Sequence, residues 1–403
     1  LVSLTLLVGC ESADRALTNA ERVIGSRTGK TVLDIAAGKD PKQILKERVD
    51  AYQRDPEAVI RDLRTIQRDF NTLMTALTGN VRKTWGEKEV KVPEQKKYVK
   101  YTQNYMSRTI VDFDNGTILV ETLDDKAPKE SLKNAIVTTL LTPDDPRSVD
   151  LFSDKPITLT SDRPPYLLGL VLDQQGQPIR TPAQAEAVAT ATIEGAKARS
   201  IDQNGVQKQA LIAELKLVAN FSNKQAEKYR TTVTRFAEQF KISPSLIFAV
   251  IRTESNFNPF AVSSAPAYGL MQLVPTSGGR DAYRKAKGKD TIPSRDYLFD
   301  PENNIELGSA YLNVLSYNQL EQVDNEVSRE YCVISAYNTG TGNVFKAFAA
   351  NSTSAINQIN GLEPPAVYDR LRSNLPYQET RDYLVKVVGF RKQFVTPAES
   401  SGR

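Results

Sequence analysis

Histidine is absent from all 403 residues. That one absence removes Ser-His-Asp and Cys-His activation of a nucleophile, HExxH zinc sites and histidine general bases together. Any chemistry must run on carboxyl, hydroxyl, amide or lysine groups. Cysteine is nearly as scarce: the only two are Cys10 and Cys332, which excludes a disulfide framework and a Cys-rich zinc site. No metal and no other cofactor is expected. Charge of one sign does not accumulate either. The chain carries 52 Lys and Arg against 48 Asp and Glu, a formal net charge of +4, and without a basic arm this names no nucleic-acid partner. The basic, aromatic stretch KKYVKY (96–101) reads as a solvated strand face. What remains is ordinary globular usage, 40% hydrophobic and 25% charged, in a chain long enough for two or three domains.

The opening LVSLTLLVGC is an apolar run too short to span a bilayer, which takes about 20 residues. Leu7, Val8, Gly9 and Cys10 resemble the lipobox of a bacterial lipoprotein signal peptide. The basic segment and the starting Met that would precede such a run are missing, so the sequence reads as truncated at its start. The resemblance implies a leader remnant over residues 1–9 and acylation at Cys10. It also implies a lipid anchor in the cell outer membrane, on its periplasmic face, because Glu11 rather than Asp follows the cysteine. Nearby, GSRTGKT looks like a phosphate loop, but three residues separate its glycines where the motif needs four, and it reads as a turn.

Apolar residues at three- and four-residue spacing in ILKERVDAYQRD and AVIRDLRTIQRDFNTLMTAL predict a helical stalk or small bundle over residues 10–79. Trp85 then opens a different region. YVKYTQNYMSRTIVDF and GTILVETL alternate as strands around Asp114, Asn115 and Gly116, a hairpin signal. SLKNAIVTTLL and AQAEAVATATIEGAKA read as helices, and ITLT, YLLGLVL and QALIAELKLVAN as strands. Residues 80–220 are thus an expected α+β domain. Helical patterns occupy the rest, 221–403, with Ile305, Gly308, Leu312 and Leu315 on one face of one helix and Val327, Tyr331, Ile334 and Tyr337 on one face of another. The fold class expected is therefore α+β and multidomain, with a mostly α carboxy-terminal domain.

One acid stands out in AVIRTESNFNPFAV (249–262). Ser243 and Pro244 make a good helix start. From that phase Leu246, Ile247, Val250 and Ile251 form an apolar stripe, and Glu254 falls on it. Arg252 and Thr253 point elsewhere. A carboxyl kept from water holds its proton to higher pH and can donate it. The plain alternative is a Glu at a fraying helix end that bends out to solvent.

Four motifs follow in order: ESNFNP (254–259), GLMQ (269–272), AYN (336–338) with Gly340 and Gly342, and Glu379, Thr380 and Tyr383 in PYQETRDYLVKV. Together they resemble lytic transglycosylases with a goose-type lysozyme-like domain. YVKYTQNY, FDNGTILVET and DDPRSVDLFSD resemble the amino-terminal domain of a membrane-bound member of that family. Pro266 and Thr339 depart from the usual pattern without removing a side chain the chemistry needs. The resemblance implies that Glu254 protonates the oxygen between N-acetylmuramic acid and N-acetylglucosamine of peptidoglycan strands. The same residue, ionised, then takes the C6 hydroxyl proton as a 1,6-anhydro ring closes, so no second carboxylate is required. It further implies substrate contacts for Ser255, Met271, Gln272, Tyr337, Asn338 and Tyr383, each of which has a structural alternative. Cys332 reads as a buried thiol. Two other functions fit the fold: a hydrolytic muramidase using Asp281, Asp290, Asp296 or Asp300 as second acid, and a peptidoglycan-binding scaffold without turnover. Partner cell-wall enzymes, endo or exo cleavage and the role of the strand domain are not legible.

Overall fold

A computed structural model describes residues 56–160, 162–395 and 399, with side chains from residue 64 onward. The Cys10 lipobox, the GSRTGKT turn and the helix expected over ILKERVDAYQRD lie outside the described residues. Helix α1 (Pro56–Trp85) continues the sequence's helical pattern and buries Phe70, Leu77, Val81 and Trp85 along one side. Trp85 ends this helix instead of opening the strand region. Its indole donates to the Tyr105 carbonyl over 2.7 Å, and Arg108 stacks on its ring.

Five strands form one antiparallel sheet: β1 (Lys97–Thr102), β2 (Ser107–Asp112), β3 (Thr117–Thr122), β4 (Lys197–Gln203) and β5 (Val206–Lys216). Their order is β1-β2-β3-β5-β4. The expected β2–β3 hairpin is present. Asp112 Oδ1 accepts from the amides of Asp114 and Asn115, and Gly116 supplies the left-handed residue at φ +65°. A second turn, with Gln103, Asn104 and Tyr105 all at positive φ, splits YVKYTQNYMSRTIVDF into β1 and β2. Helices α2 (Pro128–Leu141) and α3 (Pro182–Glu194) complete this layer, α2 lying on β2, β3 and β5 and α3 packing on α2 and β5.

Three expectations fail here. ITLT and YLLGLVL form no strands: Pro164 and Pro165 lack the donors a ladder needs, Gly169 turns the chain at φ +74°, and only isolated bridges form. Ile157, Tyr166, Leu167, Leu170 and Val171 are buried nonetheless, which is what imitated a strand pattern, while Leu159 is exposed. A strand the sequence concealed, β4, begins just after Gly195 closes α3. KKYVKY is not a solvated face either. Tyr98, Val99, Lys100 and Tyr101 are buried, and Lys100 donates to the carbonyls of Asp150 and Ser153 over 2.9 and 2.7 Å.

Past Lys216 the described residues contain no strand. Helix α4 (Phe221–Phe240) leads to α5 (Pro244–Glu254), then α6 (Gly278–Lys287), α7 (Arg295–Phe299) and α8 (Pro301–Val314). The chain closes with α9 (Glu326–Thr339), α10 (Thr341–Lys346), α11 (Ser352–Asn360), α12 (Pro364–Asn374) and α13 (Gln378–Phe394). The stripe expected on α8 is buried as read. On α9 the buried face is instead Ser328 and Cys332 to Ala336, leaving Val327 46% exposed. Tyr331 stays half-buried, its ring 5.1 Å from that of Tyr368 on α12.

The strand layer and the helical part meet at the loop after α5. The Phe260 ring is fully buried between Tyr98 at 4.9 Å and Tyr166 at 5.0 Å, both edge-on. Ion pairs Lys228–Asp144 (3.3 Å) and Arg147–Asp300 (3.1 Å) flank it. Phe260→Ala is expected to cost about 3–5 kcal/mol in urea denaturation. A cost under about 1 kcal/mol, the scale of a neutral surface change, would mean that this ring does not carry the junction.

Candidate active site

Pro244 takes the first helical position of α5 as expected, but the Ser243 hydroxyl does not cap the backbone. It bonds the hydroxyl of Ser245 at 2.8 Å and the carboxylate of Glu399. Leu246 to Ile251 are all buried, and this fixes the rotation of the helix. Arg252 leaves the stripe, donates to Asn256 Oδ1 over 2.5 Å and lies over the Phe390 ring. Glu254, the last helical residue, keeps a partial opening to solvent. Protein atoms crowd its carboxyl all the same. Desolvation raises its pKa from 4.5 to about 7; Tyr383 and Lys96 oppose the shift, while the charge of Glu379 adds to it. The crowding is what disfavours the charged form.

Three helices supply the surroundings. Helix α13, packed along α5, brings Tyr383 and Glu379, and α9 brings Tyr337. Both tyrosine hydroxyls are pushed well above their usual pKa, first by burial and then by the nearby Glu254 carboxylate. They stay protonated donors. The Tyr337 hydroxyl donates to the Met271 carbonyl over 2.8 Å. That of Tyr383 sits beside the Glu254 carboxyl, buried and without a hydrogen bond of standard geometry.

The GLMQ loop is held from below. Gly269 turns at φ +76°, where a Cβ would meet Asn304 Nδ2 and the Leu298 carbonyl at 2.4 Å each. Asn304, buried on α8, donates to the carbonyls of Tyr268 (2.8 Å) and Leu298 (2.7 Å) and accepts from the Met271 amide (2.7 Å). The Met271 side chain is fully buried against Gly308, whose missing Cβ makes room for its sulfur. Ser255 is fully buried too, its hydroxyl 2.8 Å from the Leu270 carbonyl and 3.1 Å from that of Ile251. Gln272 Nε2 donates to the carbonyls of Gly269 and Ala261 (2.9 and 3.1 Å), while Oε1 is buried and unpaired. Asn338 Oδ1 accepts from the Thr380 hydroxyl at 2.7 Å, joining α9 to α13.

The sequence reading is corrected in part by this geometry. The charge of Glu254 reaches both Tyr337, read as a cleft-edge or core residue, and Tyr383, read as a partner of Glu254 or of substrate. Ser255 and Met271, read as substrate contacts, are used up in building the loop beside the acid, because their side chains are closed off from solvent. Asn304 was missed: it lies in PENNIELG, which carries no motif, and only the burial of its helix face could have marked it. Lys96 was missed because it was read with a solvated strand. The four aspartates read as alternative second acids are each paired: Asp281 with Arg284, Asp290 with Arg280, Asp296 with Arg295, and Asp300 as the cap of α8 and partner of Arg147. Glu379, exposed on α13, is the carboxylate whose charge reaches Glu254. Among the described residues no three Cys, Asp or Glu side chains are grouped to hold a metal ion. Cys332 is buried, and burial pushes its thiol up to about 12.

Comparison with known proteins agrees with this architecture. The model of the amino-terminal domain of membrane-bound lytic murein transglycosylase C matches residues 63–228, and that of the transglycosylase SLT domain matches residues 232–360. Membrane-bound lytic murein transglycosylase C of Yersinia enterocolitica is 42% identical over 348 residues, 85% of this chain and 93% of that one. Its namesake in Serratia proteamaculans is 40% identical over 345 residues, 84% of this chain and 92% of that one. Among solved structures, the 70 kDa soluble lytic transglycosylase of Escherichia coli aligns at 26% identity and a TM-score of 0.31, over 40% of this chain and 23% of that one. The chain belongs to the membrane-bound lytic murein transglycosylase C family.

Proposed function

We propose that the chain cleaves the β-1,4 bond between N-acetylmuramic acid and N-acetylglucosamine in peptidoglycan without adding water, leaving 1,6-anhydro ends. Glu254 is its single acid and base. The observation that carries this reading is the desolvated carboxyl at the end of α5, with a pKa of about 7 and the exposed Glu379 as the other carboxylate whose charge reaches it. Protonated, it donates to the glycosidic oxygen as the bond to the anomeric carbon breaks. Ionised, it accepts the C6 hydroxyl proton, and that oxygen closes on the anomeric carbon of the same sugar. An attacking group tied to its target needs no bound water and no second carboxylate. The Tyr383 hydroxyl steadies the ionised stage, Tyr337 and Asn338 border the site, and Gln272, buried with its amide on the Gly269 and Ala261 carbonyls, shapes the loop. Ser255 and Met271 serve as scaffold.

A helical segment over residues 10–79, a strand domain over 80–220 and a catalytic domain over 221–403 belong to the same proposal, as does anchoring through an acylated Cys10 to the outer membrane, periplasmic side. The relatives are named membrane-bound, and no helix among the described residues is long and apolar enough to cross a membrane. An acyl chain would supply what the helices lack. Cys10→Ala, expressed with a complete leader, should leave the protein in the soluble fraction of lysed cells. Continued sedimentation with membranes would count against the anchor.

Mass spectrometry of digested sacculi tests the chemistry. Anhydro ends are expected; reducing ends as the main product would replace this reading with a hydrolytic one. Glu254→Gln should lower turnover by about 100- to 10,000-fold. In the wild type, kcat/KM should fall as pH rises through about 7, where Glu254 loses its proton.

The same carboxyl makes stability depend on pH. Folded Glu254 holds a proton that the unfolded chain releases near its ordinary 4.5. Its contribution is therefore fully present below that value and is lost as pH rises through about 7, roughly 3 kcal/mol in all. Urea denaturation of wild type and Glu254→Gln at pH 4.5 and 8 should show the variant gaining on the wild type by that order. Parallel pH profiles would contradict a desolvated acid.

A further inference from the structure

The loop that follows the acid is pinned to the strand layer at two points. Asn258 Nδ2 donates to the Gln95 carbonyl over 3.1 Å, and Asn256 Nδ2 donates to the Phe113 carbonyl; both asparagines are buried. The Phe113 amide in turn donates to the Lys96 carbonyl over 3.0 Å. The backbone on both sides of the Lys96 side chain is thereby tied, directly or through one strand bond, to the residues next to Glu254. Lys96 itself is half-buried, its ammonium 3.3 Å from Asp114 Oδ1. Asp114 also lies 3.4 Å from Asn256 Nδ2 and is felt by Arg252 on α5.

The charged and titratable groups that act on Glu254 come from three places, Lys96 ranking after Tyr383 and Glu379 in strength. Helix α13 supplies Tyr383 and Glu379, α9 supplies Tyr337, and the segment before β1 supplies Lys96. Lys96 is the cation among them, and it comes from outside the helical part. We infer that Lys96 is a positioning residue for the acid: held at the cleft by the asparagine clasp, its ammonium is the countercharge against which the Glu254 carboxylate forms, and Asp114 sets how much of that charge is free. The inference rests on the reading of Glu254 as the acid. Its physical basis is that a carboxyl short of water gains little from hydration when it ionises, so a fixed cation nearby counts for more than it would at the surface. Lys96 favours the ionised form where Glu379 and burial disfavour it. A carboxyl that must first give and then hold open a place for a proton needs both influences, so that neither form is trapped.

The test follows the Glu254 carboxyl by NMR titration in the full chain, beside the pH profile of turnover on purified sacculi. Lys96→Met should move both the titration and the alkaline limb of the profile upward by about half a pH unit. Lys96→Arg should bring both back, since it restores the charge. Asp114→Asn should move both downward, because it removes the competing anion; a purely structural role for the pair would not give shifts of opposite sign. An unmoved titration in Lys96→Met, with the fold intact by circular dichroism, overturns the inference. Should Lys96→Met fail to fold, Lys96→Gln and Asp114→Asn carry the same opposite-sign criterion. Failure of the underlying reading looks different: there Glu254→Gln itself would retain turnover. If Glu254→Gln is inactive while Lys96→Met titrates like the wild type, only the present inference falls.

Discussion

The structure depends on keeping one carboxyl short of water at the end of a buried helix. Helix α5 is apolar on almost every side, and α13 lies along it, so Glu254 emerges at the rim of the core instead of on an exposed face. Solvent reaches it from one side only. The unfavourable ionisation that results is a property of the packing, since no neighbouring charge dominates it. Whatever holds α13 and α9 against α5 therefore also sets the acid's chemistry.

Much of the polar machinery around the acid is construction. Ser255 ties the end of α5 to the GLMQ loop, Tyr337 ties that loop to α9, Asn304 ties it to α8, and Asn338 with Thr380 ties α9 to α13. These bonds link α5, the GLMQ loop, α8, α9 and α13 near Glu254, and buried polar groups of this kind are stable only when each finds its partner. Their value to the reaction is positional. In the proposed reaction a carboxyl displaced by an ångström would miss the glycosidic oxygen. Gln272 Oε1 and the Tyr383 hydroxyl are the exceptions, polar atoms that these bonds leave without a partner.

The strand layer is part of the same arrangement. Phe260 locks into the Tyr98 and Tyr166 rings, Asn256 and Asn258 reach carbonyls beside β1 and β2, and Lys96 brings a charge that the helices do not supply. A domain whose residues suggest no chemistry by themselves thus borders the Glu254 carboxyl. Its mixed pattern of loops, with two prolines and Gly169 where strands were expected, still buries Tyr166 and Leu170 because the interior accepts apolar side chains from irregular backbone as readily as from a ladder.

From the chain of letters alone one could read the helix carrying Glu254, the phase that turns it inward, the β2–β3 hairpin and the exclusion of every histidine mechanism. These are local: periodicity, capping residues and turn chemistry act within a few residues, and absence from the composition holds in any fold. The partners of Glu254 were another matter. Tyr337, Tyr383 and Lys96 lie 83, 129 and 158 positions away in sequence order, and their approach depends on how α9, α13 and the sheet close on α5. The same closure decided that Ser255 and Met271 face inward, that Val327 faces out, and that KKYVKY is buried. Burial of a side chain is a property of its neighbours in space, and neighbours far apart along the chain are chosen only when the whole core packs.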